Sequence, residues 1–164
     1  MSLAHRLGFA AIACLIAAPL PAGAALIMHK VLPLDVAKTI AEGAIAACAA
    51  KGYATSAVVV DADGETIVAM HGDGAPPHTM ENARRKAYTA MTFKQPTAEY
   101  AKKLLDPASV AHQQVTLPNV IAIPGGLPIK VGDDVIGEAA VSGSPGVDEP
   151  CVQAGLDKIA DQLK

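Results

Sequence analysis

The chain has no tryptophan, two phenylalanines and three tyrosines in 164 residues. Proteins that hold single strands use aromatic faces as stacking platforms, so that mode of binding has little support. Basic residues are also in short supply: 13 Lys and Arg stand against 16 Asp and Glu, a formal net charge of -3. No broad basic surface is indicated, and nucleic acid is set aside as a partner. There is no CxxC and no cysteine–histidine cluster of the kind that holds structural zinc. H-E-x-x-H, the P-loop and the dinucleotide glycine fingerprint are all missing, and Ser142 and Ser144 do not form a G-x-S-x-G elbow. With no regular β-α-β alternation and no internal repeat, a doubly wound sheet is disfavoured.

Small apolar residues are what the chain has in quantity. Alanine-rich helices pack closely, but each alanine buries little area. The composition therefore predicts a homo-oligomer that covers apolar surface between copies.

The first segment has the layout of a secretory signal. His5 and Arg6 precede an apolar run, Leu7 to Ala18, which Pro19 to Gly23 breaks. Ala22-Gly23-Ala24 offers the small residues that a signal peptidase reads. The run is too short to span a bilayer. We expect residues 1–24 to be a cleaved signal and 25–164 to be one domain, periplasmic or extracellular. Cleavage removes Arg6 and no acidic residue, which moves the net charge from -3 to -4. Cys48 and Cys151 remain. Oxidising surroundings allow a bridge, but both fall on predicted helices far apart in sequence, and two buried thiols are the favoured alternative.

The stretch from Ser56 to Ala75 organises the rest. Ala57–Val60 and Thr66–Met70 are extended runs around Asp61-Ala62-Asp63-Gly64, which predicts an antiparallel hairpin. His71-Gly72-Asp73-Gly74-Ala75-Pro76-Pro77 then leaves the sheet as a glycine- and proline-rich loop, a suitable place for a site. Pro33 is expected to open an amphipathic helix carrying Ala37, Ile40, Ala41, Ala44 and Cys48 on its inner stripe, with Gly52 as terminator. A second helix is expected from Thr79 as cap, with Glu81 paired to Arg85. Pro96-Thr97 starts a third. Val120–Ile123 is read as a strand that Pro124 to Pro128 bends into Ile129–Val131, and Val135–Ser142 returns. Asp148 or Glu149 is expected to cap a closing helix. The order is helix, hairpin, helices, hairpin, helix: an α+β fold with an antiparallel sheet flanked by helices.

Taken in order, these landmarks resemble the GlcG/HbpS-like family, also called the haem-degrading or DUF336 family and related to the C-terminal domain of PduO-type proteins. The marks are Ala57–Asp61 with Gly64, Asp73-Gly74-Ala75, Lys86–Ala90, Phe93, Pro96-Thr97, Gly125–Ile129, Ile136-Gly137, Val141-Ser142-Gly143, Asp148 and Ala154–Leu156. Two departures stand out: His71 occupies a position often held by arginine, and Ala140 one usually held by glycine. The resemblance implies a single domain that assembles into dimers or larger rings. It also implies haem or a related tetrapyrrole as ligand in some members, and for one exported branch haem and iron sensing with a membrane-bound signalling partner.

Two converging loops are the candidate site. Gly72, Asp73 and Gly74 lead to the cationic step Arg84, Arg85 and Lys86, and Ser142, Gly143 and Ser144 lead into the last helix. Glycine loops and helix starts present amide donors to an anion, so the ligand is a small anionic molecule or haem. Iron also wants an axial donor, for which His71, His78 and His112 are the candidates. Besides haem binding, the residues leave open a small-molecule enzyme or carrier acting on an organic acid, with His71 moving a proton, and an interaction protein without catalysis.

Overall fold

An uninterrupted apolar run such as Ala57–Val60 needs cover on both faces, and the fold provides it. The computed structural model describes residues 28–163; the expected export signal, 1–24, lies outside them. In chain order the elements are α1 (Leu34–Ala49), β1 (Ser56–Asp61), β2 (Thr66–His71), α2 (His78–Phe93), α3 (Thr97–Lys102), α4 (Ala111–Gln114), β3 (Gly126–Val131), β4 (Asp134–Ser142) and α5 (Asp148–Asp157). The strands form one sheet in the order β2-β1-β4-β3, and every neighbouring pair is antiparallel. This is the α+β architecture expected from the sequence.

Strand β1 divides its side chains by the two-residue period of a strand. Ala57 and Val59 pack with Ala139 and Val141 of β4 against Ile40, Ala41 and Ala44 of α1 and Val152 and Leu156 of α5. Val58 and Val60 pack with Ala140 against Ala83, Ala87 and Met91 of α2. On the far side of α2, Tyr100, Ala111 and Val120 form a third cluster. Phe93 stacks on Tyr100 there, with ring centroids 4.3 Å apart.

Helices α1 and α5 approach closely because small residues face each other. A side chain at Gly155 would collide with the Ile40 carbonyl. Cys48 and Cys151 form a disulfide across this contact, with Cα atoms 5.5 Å apart and a sequence separation of 103. The expectation of free thiols is thus corrected. Helices remote in sequence lie on the same face of the sheet, and both cysteines belong to its core.

Four local expectations are also corrected. Helix α2 starts at His78 after Pro77, and the Thr79 hydroxyl donates to the Pro76 carbonyl at 2.7 Å instead of accepting an amide. Glu81 pairs with Arg84, at 2.8 Å, and not with Arg85. Asp148 and Glu149 lie inside α5, whose cap is Val147; their carboxylates serve tertiary contacts described below. Val120–Ile123 is not a strand. Its backbone groups bond side chains of α2 in place of a neighbouring strand: Ile121 N–H donates to Thr89 Oγ1 at 2.8 Å, and the Val120 carbonyl accepts from Arg85 at 2.7 Å. The ladder begins at Gly126, and Pro128 is accommodated because β3 is an edge strand.

Glu138 is the unexpected member of the core. It sits on β4 opposite Val60 and Pro128. It is 0% exposed, and neither carboxyl oxygen has a hydrogen-bond partner among the described residues. Burial pushes its pKa up to about 9, against a weaker opposite pull from Lys130. A lone buried carboxylate is costly, so Glu138 holds its proton at neutral pH.

Two outcomes follow from these contacts. The Cys48–Cys151 bridge closes a long loop, and replacing both cysteines by alanine should lower stability by about 2–5 kcal/mol in urea titrations. For Glu138, the folded pKa of about 9 lies above the ordinary 4.5. Its contribution to stability is complete below 4.5 and is lost as pH rises through 9. Denaturation midpoints should fall across that window in the wild type and much less in Glu138→Gln; parallel profiles would count against a protonated Glu138.

Candidate functional site

The hairpin register aligns His71, Ser56 and Ser142 directly across three adjacent strands, β2, β1 and β4. At this end of the sheet β2 exits toward α2 and β4 exits toward α5. The β2–α2 loop, the start of α2 and the β4–α5 loop therefore converge, and they enclose a buried ion pair.

Lys86 comes from the middle of α2 and is only 1% exposed. Its ammonium donates to Asp148 Oδ2 at 2.6 Å and to the Val141 carbonyl at 3.1 Å. Asp148 Oδ1 accepts from the Ser144 amide at 2.9 Å and from the Ser144 hydroxyl at 2.6 Å. Cys48 Sγ lies against that same hydroxyl, at 2.9 Å. The pair thus links α2 to α5, and Ser144 links it to the disulfide. Gly125 makes room for it. With φ +136°, a Cβ there would lie 2.7 Å from Lys86 Nζ and 2.8 Å from Asp148 Cβ. Glu149 fixes the same turn by accepting the Gly125 amide at 3.3 Å and the Ala98 amide at 2.9 Å.

Above the ion pair is a cleft of about 550 Å³. His78, Asn82 and Lys86 line one side at helical i, i+4, i+8 spacing. Pro76, Ile123, Pro124 and Pro145 supply apolar wall, and Ser142, Gly143 and Gly146 complete the loop side. Clefts of about 480, 340 and 330 Å³ lie around residues 28–36, three of them sharing Lys30 and Ile136. They are smaller, and the Lys30–Asp134 ion pair beside them, at 3.2 Å, is exposed.

Each sequence candidate has a definite place. Lys86, Ser142, Gly143 and His78 line the cleft. Ser144 is buried beneath it on Asp148. His71 is at the flank: its Nδ1 is 2.8 Å from Ser56 Oγ, which is 2.7 Å from Thr79 Oγ1 in the first turn of α2. Gly72, Asp73 and Gly74 form the turn between His71 and Pro76, with the Ala75 amide donating to the Gly72 carbonyl at 3.0 Å. Arg84 and Arg85 are engaged elsewhere. Arg84 bonds Glu81 and, at 2.7 Å, Asn119 Oδ1; Arg85 bonds the Val120 carbonyl. The Arg84 hydrogen bond holds the Glu81 carboxyl below its ordinary value. His112 is in α4, its Nε2 3.1 Å from the Asp106 carbonyl. Among the described residues no group of three or more His, Cys, Asp or Glu is placed to hold a metal ion.

Sequence reasoning missed Asn82, Ile123, Pro124 and Pro145. The helical spacing of His78, Asn82 and Lys86 was the available signal for the first. The others come from loops whose convergence only the folded chain shows.

A family model described as "Haem degrading protein HbpS-like" matches residues 32–157. The chain belongs to the HbpS-like family. All the cleft residues fall within that match. The Streptomyces reticuli HbpS, solved as a double mutant, is 33% identical; the similarity covers 87% of this chain and 97% of that one, with a TM-score of 0.77. The Klebsiella pneumoniae protein ORFY, from DUF336, is 24% identical over 87% of this chain and 98% of its own, with a TM-score of 0.75. A PduOC:heme complex, 21% identical, shares the fold over 78% of this chain and 94% of its own, with a TM-score of 0.72. No curated protein sequence shows significant similarity to the chain.

Removing one partner of a buried ion pair strands the other charge. Lys86→Met should therefore cost about 3–5 kcal/mol, measured by urea denaturation. Adding Asp148→Leu to it should restore much of that loss. A Lys86→Met variant as stable as wild type would show that the pair contributes little.

Proposed function

We propose that this HbpS-like chain is an exported homo-oligomer that binds haem or a related tetrapyrrole at the cleft between the start of α2 and the β4–α5 loop. The carrying observation is the cleft itself: an apolar wall beside fixed polar groups, with the His78 imidazole on its lining. Volumes of a few hundred Å³ with few, placed polar groups are usual for small-molecule sites.

The residues fit what a haem requires. Ile123, Pro124 and Pro145 offer flat apolar surface. The start of α2 and Asn82 offer donors to propionate carboxylates. A bound haem would supply iron chemistry; His78 would offer an imidazole nitrogen, and the proline-rich wall would exclude water. The family description and the heme complex of the PduOC neighbour support the reading. The disulfide supports export, since such bridges persist in oxidising compartments. No described helix is long and apolar enough to cross a membrane. Exposed Val31, Leu105 and Leu117 offer apolar area to other copies, and a membrane-bound signalling partner would have to meet the assembled surface.

A small organic acid is the second reading, favoured by the Asn82 and Ser142 polar groups at the cleft wall. Lys86 lies beneath them, its ammonium committed to Asp148 and the Val141 carbonyl. Titration of the mature protein with haemin separates the two. We expect a saturable Soret change with fixed stoichiometry per protomer, alongside a discrete oligomer mass by light scattering. Featureless, nonsaturable association, with an organic acid retained in native mass spectra, would overturn haem in favour of the acid.

A further inference from the structure

The polar side chains around the cleft fall into two groups, those already bonded within the fold and those with nothing to bond. Lys86 and Asp148 belong to the first: they face each other at 2.6 Å, and the other Asp148 oxygen accepts from Ser144. Arg84 and Arg85, the neighbouring cations, bond Asn119 and the Val120 carbonyl and do not line the cleft. Ser142, Asn82 and His78 belong to the second. All three line the cleft, and none of their side chains has a hydrogen-bond partner among the described residues. Ser142 is the decisive one, because it is only 4% exposed. Its partner across the strands, Ser56, directs its hydroxyl to Thr79 in the first turn of α2. Residues directly opposite on paired strands share a face of the sheet, so the Ser142 hydroxyl also lies on the α2 side, where the cleft is. A buried hydroxyl without a partner costs free energy, and one that opens on a cleft is satisfied by what enters it.

The same inventory sets the charge of the entrant. The first-turn amides of a helix have no partner inside it; in α2 the Thr79 amide is taken by the Pro76 carbonyl, and the positive end of the helix dipole favours an anion beside the rest. Ser142 adds an O–H donor and Asn82 an amide N–H. A carboxylate satisfies this set. No lysine or arginine lining the cleft is left unpaired, however, since Lys86 and Asp148 cancel. One negative charge can be held by hydroxyl and amide dipoles. A second would lose its water without meeting a counter-charge. Beside the donors, Pro76, Ile123, Pro124 and Pro145 form an apolar wall, and a proline has no amide to donate. The ligand that fits this cleft therefore has one carboxylate at the α2 end and an uncharged, apolar body.

We propose that the cleft is a site for an apolar monocarboxylate, its carboxylate held by the Ser142 hydroxyl, the Asn82 amide and the first turn of α2, and its body against the proline wall. This rests on the organic-acid reading above, and the test separates the two. Calorimetric titration of the mature protein with benzoate should show saturable binding with fixed stoichiometry per protomer. Terephthalate, which puts a second carboxylate against the apolar wall, and benzamide, which carries no charge, should each bind about tenfold more weakly or worse. Ser142→Ala should weaken benzoate about tenfold while its urea midpoint stays at the wild-type value, because the hydroxyl bonds nothing in the unliganded fold. Asn82→Asp, at a partly exposed position, should abolish benzoate binding by placing a like charge against the carboxylate. If terephthalate binds as tightly as benzoate, the organic-acid reading stands and the single-charge preference is overturned. If both variants bind benzoate like the wild type, the carboxylate is not held at Ser142 and Asn82, and the proposal is overturned. If neither acid binds saturably, the proposal falls together with the organic-acid reading.

Discussion

The interior of this small domain is arranged around a charge it cannot expose. Lys86 lies on the helix covering one face of the sheet, and its partner Asp148 begins the helix covering the other. Neither charge would be tolerated alone at that depth. The two helices must hold their relative positions for the pair to close at 2.6 Å. Ser144 completes the carboxylate's hydrogen bonding, Gly125 leaves the required space, and Glu149 fixes Gly125. The β4–α5 loop is therefore rigid for reasons independent of any ligand. A cleft built on such a loop is formed before anything binds, which reduces the ordering cost of binding.

Glu138 shows a contrasting solution. It is as deeply buried as Lys86, but Lys130 exerts only a weaker pull on it, and its carboxyl has no hydrogen-bond partner among the described residues. The first group keeps its charge by pairing, and the second gives up its charge by holding a proton. Both occupy the region between the sheet and α2, so one layer contains a paired ion and a neutral acid. The difference lies in geometry. Lys86 is near the end of β4, where a loop can bring Asp148 to it, while Glu138 is mid-strand between Val60 and Pro128.

Much of this was legible in the sequence because it was local. The Ala57–Val60 and Thr66–Met70 runs around an aspartate–glycine turn gave the first hairpin, and the helical stripe behind Pro33 gave α1. Contacts between distant segments were not legible. Val120–Ile123 has strand-like residues, yet α2 side chains take up its backbone bonds. Asp148 looked like a helix cap because aspartate before an apolar run usually is one, but here a lysine 62 residues earlier claims it. Arg84 and Arg85 form a basic step with Lys86 in the sequence, but successive residues on a helix point in different directions, and only Lys86 reaches the cleft.

The two ends of the sheet differ in what holds them. At the hairpin-turn end, the clefts depend on the arm at residues 28–33 and on an ion pair whose side chains are 54% and 70% exposed. Exposed pairs of this kind contribute little, so the walls there are weakly determined. At the other end, the walls are tied by a disulfide, a buried ion pair and a four-member hydrogen-bond relay running from His71 to Pro76. Binding specificity requires groups that stay in place when the ligand arrives. The groups beside Ser142 are held by the fold itself before any ligand arrives.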